Sequence, residues 1–412
     1  MSVLGDFLTG LLERGVPRLS LPGADARSPI DLARALMDAP GEDAQRGLAA
    51  TLLDHYASLD DAGRRAFFLR LSRGLDVDGP ALRAALDAYE AAPGRATYRA
   101  FAVAAEPARQ ELIRRVNRVT GATGRIVQMR ADLLRAIAAK GEGTDALAAL
   151  DEDFRHLLSS WFNRGFLVLR PITWDTPASI LEKIIAYEAV HDIAGWEDLR
   201  RRLAPADRRC FAFFHPAMPS EPLIFVEVAL TQGIPDSVQA ILAPDRTPRD
   251  DVDTACFYSI SNCQPGLAGI SFGNSLIKQV VADLREERPD LSDFVTLSPI
   301  PGLATWAAES GEALDTDPRR LAARYLLTAK DARGRPRDPV ARFHLGNGAS
   351  VHAVHAEADL SPRGQTQSGG AMVNYRYDPA LASVNHERYA ATGAVAARAD
   401  LRALAARAPS VA

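Results

Sequence analysis

The sequence is short of lysine. Of its 48 basic residues only Lys140, Lys183, Lys278 and Lys330 are lysines, and arginine supplies the rest. That leaves few candidates for a Schiff-base or biotin-bearing side chain, and none lies in a recognisable cofactor motif. Cysteine is scarcer still: Cys210, Cys256 and Cys263 show no C-x-x-C spacing and suit a reducing cytosol. No apolar run approaches the ~18 residues of a membrane-spanning helix, so no membrane partner is expected. An excess of one charge is also missing. Lys and Arg number 48 against 52 Asp and Glu, a net charge of −4, which leaves no footprint for nucleic acid. The N-terminus carries Asp6 and Glu13 without a basic segment, so neither a secretory signal nor an organelle presequence is read there. The terminal Ser410-Val411-Ala412 is not the peroxisomal address. A cytoplasmic location is the expectation.

What is present suits a globular chain with ample length for a core and one to three domains. Residues 1–165 read as helical throughout. Ser28-Pro29-Ile30-Asp31 combines a cap candidate, a proline at the first helical position and an acid in the first turn. Helical patterns follow near 42–57, 61–73, 80–91 and 97–139. Another runs from Thr144 through Leu147, Leu150, Phe154, Leu157 and Leu158 to a stop at Gly165. No histidine, cysteine or acidic cluster forms a recognisable site there, and no repeat of fixed period marks a solenoid. Such a region is expected to be a scaffold or an oligomerisation surface.

At Gly165 the texture changes. Phe166–Arg170 reads as a strand, and Ser179–Val190 and Trp196–Leu203 as helices. Cys210–Phe214 and Leu223–Leu230 read as strands joined in a hairpin, and 244–253 as a polar loop. The stretch Cys256–Trp306 organises the remainder: a strand over 256–261, then a loop containing Gly266, Gly269 and Gly273. A helix follows whose Leu276, Ile277, Val280, Val281 and Leu284 form one apolar face. The chain returns as Phe294–Ser298 into Pro299-Ile300-Pro301-Gly302. A glycine-rich loop that opens a helix leaves unpaired N–H groups aimed at one spot, which suits phosphate. Its spacing fits neither the dinucleotide fingerprint nor a P-loop, and a tight turn without ligand is the plain alternative. Beyond it, 308–335 reads as a helix and a polar connection. Val340–His344 and Val351–Val354 read as short strands around the turn Gly346-Asn347-Gly348. Residues 359–377 hold small and polar residues too dense for a plain core strand, and 379–412 reads as helix. The order β-α-α-β-β-β-α-β-α, with the loop after the fourth strand, resembles the GNAT acetyltransferase superfamily. The expected fold class is α+β: an all-α helical domain over 1–160, then a GNAT-like α/β catalytic domain over 161–412.

Several long stretches resemble the malonyl-CoA decarboxylase family. They are SWFNRGFLVLRPITWDTPA (160–178), EKIIAYEAVH (182–191), RRCFAFFHPAMPSEPLIFVEVAL (208–230) and FYSISNCQPGLAGISFGNSLIKQVV (257–281). LSPIPG (297–302), FHLGNGA (343–349) and MVNYRY (372–377) complete the set, so the resemblance covers 160–377 in order. It implies decarboxylation of malonyl-CoA to acetyl-CoA and CO2 without metal or organic cofactor, by a homo-oligomer, commonly a tetramer. The family's substrate loop falls on Ala268, Gly269, Ile270, Ser271, Phe272, Gly273 and Asn274, with Ile277 a turn further on. Its serine and histidine fall on Ser298 and His344. Animal members carry a glutamate where this chain has Ser271.

Losing CO2 from a malonyl thioester leaves an enolate whose oxygen must be stabilised and whose carbon must take a proton. Backbone N–H groups of 268–274 suit the first task, the Ser298 hydroxyl can orient the carboxylate, and a histidine suits the proton transfer. Each has a plainer reading. A Ser-Pro at a strand end is commonly a turn residue, and His344 beside a turn is commonly structural. His352 and His355 with Glu357 and Asp359 suggest a metal, but strand alternation puts the two histidines on opposite faces, and no metal is expected. His191 and His215 lack an evident chemical partner and read as structural. Gly269-Ile-Ser-Phe-Gly273 matches the hydrolase nucleophile pattern, although Asn262–Ala268 separates it from its strand. An acyl-CoA thioesterase, a GNAT-type acyltransferase and a non-catalytic acyl-CoA sensor are therefore the alternatives.

Overall fold

The computed structural model describes residues 26–244, 247–270, 276–314 and 317–407. They form two compact units that divide at Val119/Thr120. The first is helical: α1 (Pro29–Asp38), α2 (Glu42–Ala57), α3 (Asp61–Gly74), α4 (Gly79–Ala91), α5 (Arg95–Ala104) and α6 (Ala108–Val116). The start signal at Ser28 is real, since its side chain accepts the Asp31 N–H ahead of Pro29. The single helix expected over 97–139 is instead three helices. Pro107, which has no N–H and disfavours helix before it, breaks the first junction. Gly121, at φ +75°, turns the chain before α7 (Ala122–Ala138).

The second unit opens with α7 and α8 (Thr144–Trp161) and continues into an eight-stranded sheet. Its strands are β1 (Val168–Pro171), β2 (Arg208–Phe214), β3 (Ile224–Thr231), β4 (Thr254–Asn262), β5 (Asp293–Thr296), β6 (Ser298–Pro299), β7 (Ser350–His355) and β8 (Met372–Arg376). The helices are α9 (Ala178–Tyr187), α10 (Trp196–Leu203), α11 (Val238–Leu242), α12 (Leu276–Glu287), α13 (Leu303–Glu309), α14 (Pro318–Thr328), α15 (Pro339–Gly346), α16 (Pro362–Ser368), α17 (Ala382–Thr392) and α18 (Ala399–Ala405). The expected GNAT-like order is present, with the short α11 added between β3 and β4.

Strands β1 to β4 form an antiparallel meander, and β4 pairs in parallel with β5. The parallel ladder spans only Thr254–Phe257 against Asp293–Thr296. Beyond it β4 runs on to Asn262 while β5 ends, so the two strands part and leave a gap in the sheet. A register shift opposite Glu227/Val228 leaves Tyr258 without a paired residue at the mouth of that gap. The apolar face of α12 (Leu276, Ile277, Val280, Val281 and Leu284) packs on Phe257, Phe294 and Val226 in the main core. That burial is the reason residues 276–287 fold as the helix their pattern predicts.

Two expectations fail here. Val340–His344 is not a strand but most of α15. Asp338 caps it, accepting the Ala341 N–H at 2.9 Å, and Pro339 takes the first helical position. Gly346-Asn347-Gly348 is therefore the end of a helix rather than a hairpin turn. Gly348 lies at φ +86°, and a Cβ there would come within 2.0 Å of the Ala382 carbonyl oxygen. Residues 372–376, read as too polar for a core strand, form β8, which sits between β7 and the β5–β6 edge. Asn374 is tolerated there because its amide donates to the Thr296 and Pro235 carbonyls.

Candidate active site

Ser298 and His344 lie 46 positions apart in sequence, and the fold brings them together. Ser298 stands on β6, held against Val373 of β8 and followed by Pro299. His344 is in the last turn of α15. The Ser298 Oγ lies 3.2 Å from His344 Nε2 and donates to Thr296 Oγ1 at 2.8 Å. His344 Nδ1 meets the Tyr377 hydroxyl at 2.8 Å, and the imidazole stacks on the Tyr375 ring at 4.5 Å. Thr296 Oγ1 also accepts the Tyr375 N–H. All five side chains are buried.

This chain of bonds assigns the tautomer. Because Ser298 gives its proton to Thr296, its oxygen is an acceptor toward the imidazole, so Nε2 carries the hydrogen and Nδ1 accepts from Tyr377. Burial alone pushes the His344 pKa down to about 3, and burial pushes the Tyr377 phenol well above its usual range. The site therefore holds a neutral imidazole and a protonated phenol at neutral pH.

The pair faces a cavity of about 260 Å³ where β4 and β5 part. Its described lining is largely apolar: Val190, Phe257, Ile260, Pro299, Val340 and Phe343, with Tyr258, Asn262 and Pro339. Val190 is held in place from behind. The Glu188 carboxylate accepts the N–H groups of Val190 and His191 and the Ser259 hydroxyl, at 2.7, 2.9 and 2.8 Å. A second cavity of about 480 Å³ shares Asn262 and Phe343 with the first. Ala268, Gly269 and Ile270 line it together with Leu267 and Leu276.

Three of the expected loop residues thus reach a cavity wall next to the Ser–His pair. Ser271, Phe272, Gly273 and Asn274 lie outside the described residues. Ile277 packs into the main core at 1% exposure and lines neither cavity. His215 bridges Trp161 and Ala217 through hydrogen bonds, and His355 bonds Asn374. Among the described residues no group of three or more His, Cys, Asp or Glu is placed to hold a metal ion. Sequence reasoning missed Thr296, Tyr375 and Tyr377. Tyr375 and Tyr377 lie inside the MVNYRY motif, but a buried hydroxyl partner has no pattern of its own in sequence.

The family described as the malonyl-CoA decarboxylase C-terminal domain matches residues 165–318 and 307–411, and the corresponding N-terminal domain matches 75–162. The chain belongs to the malonyl-CoA decarboxylase family. A crystal structure of malonyl-CoA decarboxylase from Rhodopseudomonas palustris superposes with a TM-score of 0.87 at 44% identity, over 92% of this chain and all of that one. Mitochondrial malonyl-CoA decarboxylase of Mus musculus is 34% identical over 89% of this chain and 84% of its own length. The enzyme of Anser anser anser is 36% identical over 66% of this chain, and the match spans 64% of the goose protein. Among the described residues no helix is long and apolar enough to cross a membrane.

Proposed function

We propose that this protein decarboxylates malonyl-CoA to acetyl-CoA and CO2. The observation that carries the reading is the buried Ser298–His344 pair at 3.2 Å, facing a small apolar cavity that adjoins the glycine-loop cavity. The loop cavity takes the CoA arm and the smaller one takes the malonyl head. A carboxylate loses solvation among Val190, Phe257, Ile260 and Phe343, whereas neutral CO2 does not, so the surroundings favour its departure. On binding, the Ser298 hydroxyl turns its proton from Thr296 to the carboxylate and so orients it. The C–C bond breaks and its electron pair moves into the thioester as an enolate, whose oxygen the loop N–H groups stabilise. The thioester is itself the electron sink, so the chemistry needs no metal or organic cofactor.

Protonation of the enolate carbon falls to His344. The negative malonyl head brings an opposite charge to the imidazole, which raises its pKa on binding. The imidazolium so formed gives its Nε2 proton to carbon once CO2 has left, and solvent restores it.

Assembly is assigned to residues 1–160, as a homo-oligomer and specifically a tetramer, in the cytoplasm, with no nucleic-acid or membrane partner. Incubation with malonyl-CoA tests the reading. Acetyl-CoA and CO2 are expected, with one deuterium in the methyl group when the solvent is heavy water. Free CoA would identify a thioesterase, transfer only with an added amine an acyltransferase, and no turnover a sensor.

A further inference from the structure

The turn that leads into the substrate loop is held by a residue from outside the sheet. Arg130 of α7 is 2% exposed. Its Nη1 donates to the carbonyl oxygens of Gly266 at 2.8 Å and Ala268 at 2.9 Å. Its Nε and Nη2 donate to the two carboxylate oxygens of Asp151 on α8, at 2.8 and 3.3 Å. A guanidinium at that depth is stable only when its donors are matched and its charge is paired, and here both conditions hold. The turn also lies backbone to backbone on α7: a Cβ on Gly266 would come within 1.8 Å of the Val127 carbonyl oxygen. Neither Arg130 nor Asp151 lines a cavity of the site.

The consequence follows from peptide geometry. In a trans peptide the carbonyl and the next N–H point in opposite directions. With the Ala268 carbonyl turned to Arg130, the Gly269 N–H points away from α7. Gly269 lines the 480 Å³ cavity, sits at φ +74° and, among the described residues, donates to no backbone carbonyl. The Gly266–Leu267 peptide is fixed in the same way, its carbonyl held by Arg130 and its Leu267 N–H closing the turn on the Gln264 carbonyl at 2.9 Å.

We propose that Arg130, held by Asp151, is a positioning residue for acyl-CoA binding: it sets the 266–269 backbone so that the Gly269 N–H is presented to the bound thioester. This rests on the acyl-CoA reading of the cavity. The effect falls on binding and on enolate stabilisation, because the Gly269 N–H is one of the loop donors facing the thioester oxygen, whereas Ser298 and His344 stand on β6 and α15 and bond to neither residue.

The test uses full-length Arg130→Gln, Arg130→Lys and Asp151→Asn, with kcat and KM for malonyl-CoA, Kd for the thioester acetyl-CoA by calorimetry, and melting curves. Arg130→Gln should raise KM and Kd by roughly tenfold or more, as expected for loss of charge-assisted hydrogen bonds. The kcat should fall as well, because the same N–H serves the enolate oxygen, and Arg130→Lys should recover part of both affinity and turnover. A residue with only a structural role would lower the melting temperature and the active fraction while leaving KM and Kd at wild-type values. That result overturns the proposal. If Arg130→Gln does not fold, Asp151→Asn decides by the same criterion. Wild-type protein that binds acetyl-CoA without decarboxylating malonyl-CoA would remove the enzyme reading and leave the anchor testable through Kd. Wild-type protein that binds no acyl-CoA removes both.

Discussion

His344 is the residue on which the chemistry turns, and its burial makes two measurements informative. Replacing it with Asn keeps a hydrogen-bonding group of similar size but removes the transferable proton. The loss should fall on kcat, on the order of 10²–10⁴-fold. Ser298→Ala should likewise cost more in kcat than in CoA affinity, and the double variant should be little worse than the worse single, because the two act on one head group. Near-wild-type turnover by His344→Asn, with its circular dichroism intact, would remove His344 as the proton donor. The second measurement concerns pH and stability. Burial lowers the folded-state pKa to about 3 from the ordinary 6.5. Below about pH 6.5 the unfolded chain therefore binds a proton that the folded chain does not, and stability falls as pH drops toward 3. The slope from this one group is about 1.4 kcal/mol per pH unit, and the group contributes nothing above that window. Denaturant unfolding from about pH 6 to about pH 4 should show wild type losing stability faster than His344→Asn; parallel slopes would mean that the imidazole is not held neutral.

At the scale of elements, the turn Pro265–Leu267 and α7 form one fitted piece. Gly266→Ala puts a methyl against the Val127 carbonyl, which belongs to a helix backbone and cannot swing aside. The turn must move instead, at a cost of about 1–3 kcal/mol in stability and with a rise in KM, since the same turn carries Ala268 and Gly269 to the cavity. An unchanged melting temperature and KM would show that the turn has slack. The element lessons of the sequence are mixed. The α12 helix was legible because five apolar residues share one face. The α15 helix was not, although Asp338-Pro339 repeats the cap-and-proline logic that identified α1. Its short alternation of apolar and polar residues matched a strand equally well, and only packing against the core selected the helix.

At the scale of the whole molecule, the compact units divide at residue 119, so α7 and α8 travel with the sheet. Cutting the chain at 160 would remove Arg130, Val127 and Asp151 from the turn they hold, whereas cutting at 120 would keep them. Both 120–412 and 160–412 should scatter light as smaller species than the full chain if the helical region assembles it. Only 120–412 should retain wild-type KM. A soluble 160–412 with unaltered KM would show that α7 and α8 are dispensable to the site, and undiminished mass in both would place assembly elsewhere.

The sequence by itself determined the change from helical to mixed architecture, the glycine loop between β4 and α12, and the family, because periodic burial and long ordered motifs are local properties of the chain. The Ser298 and His344 assignments came from motif resemblance alone. Only the tertiary structure decided that they meet, that Tyr377 and Thr296 order the imidazole and hydroxyl, and that Arg130 reaches the substrate turn from 136 residues away. The physical reason is one of range. Backbone pattern records which face of an element is buried, whereas a hydrogen bond of about 3 Å between distant residues exists only after β4 and β5 part and α15 closes over the gap.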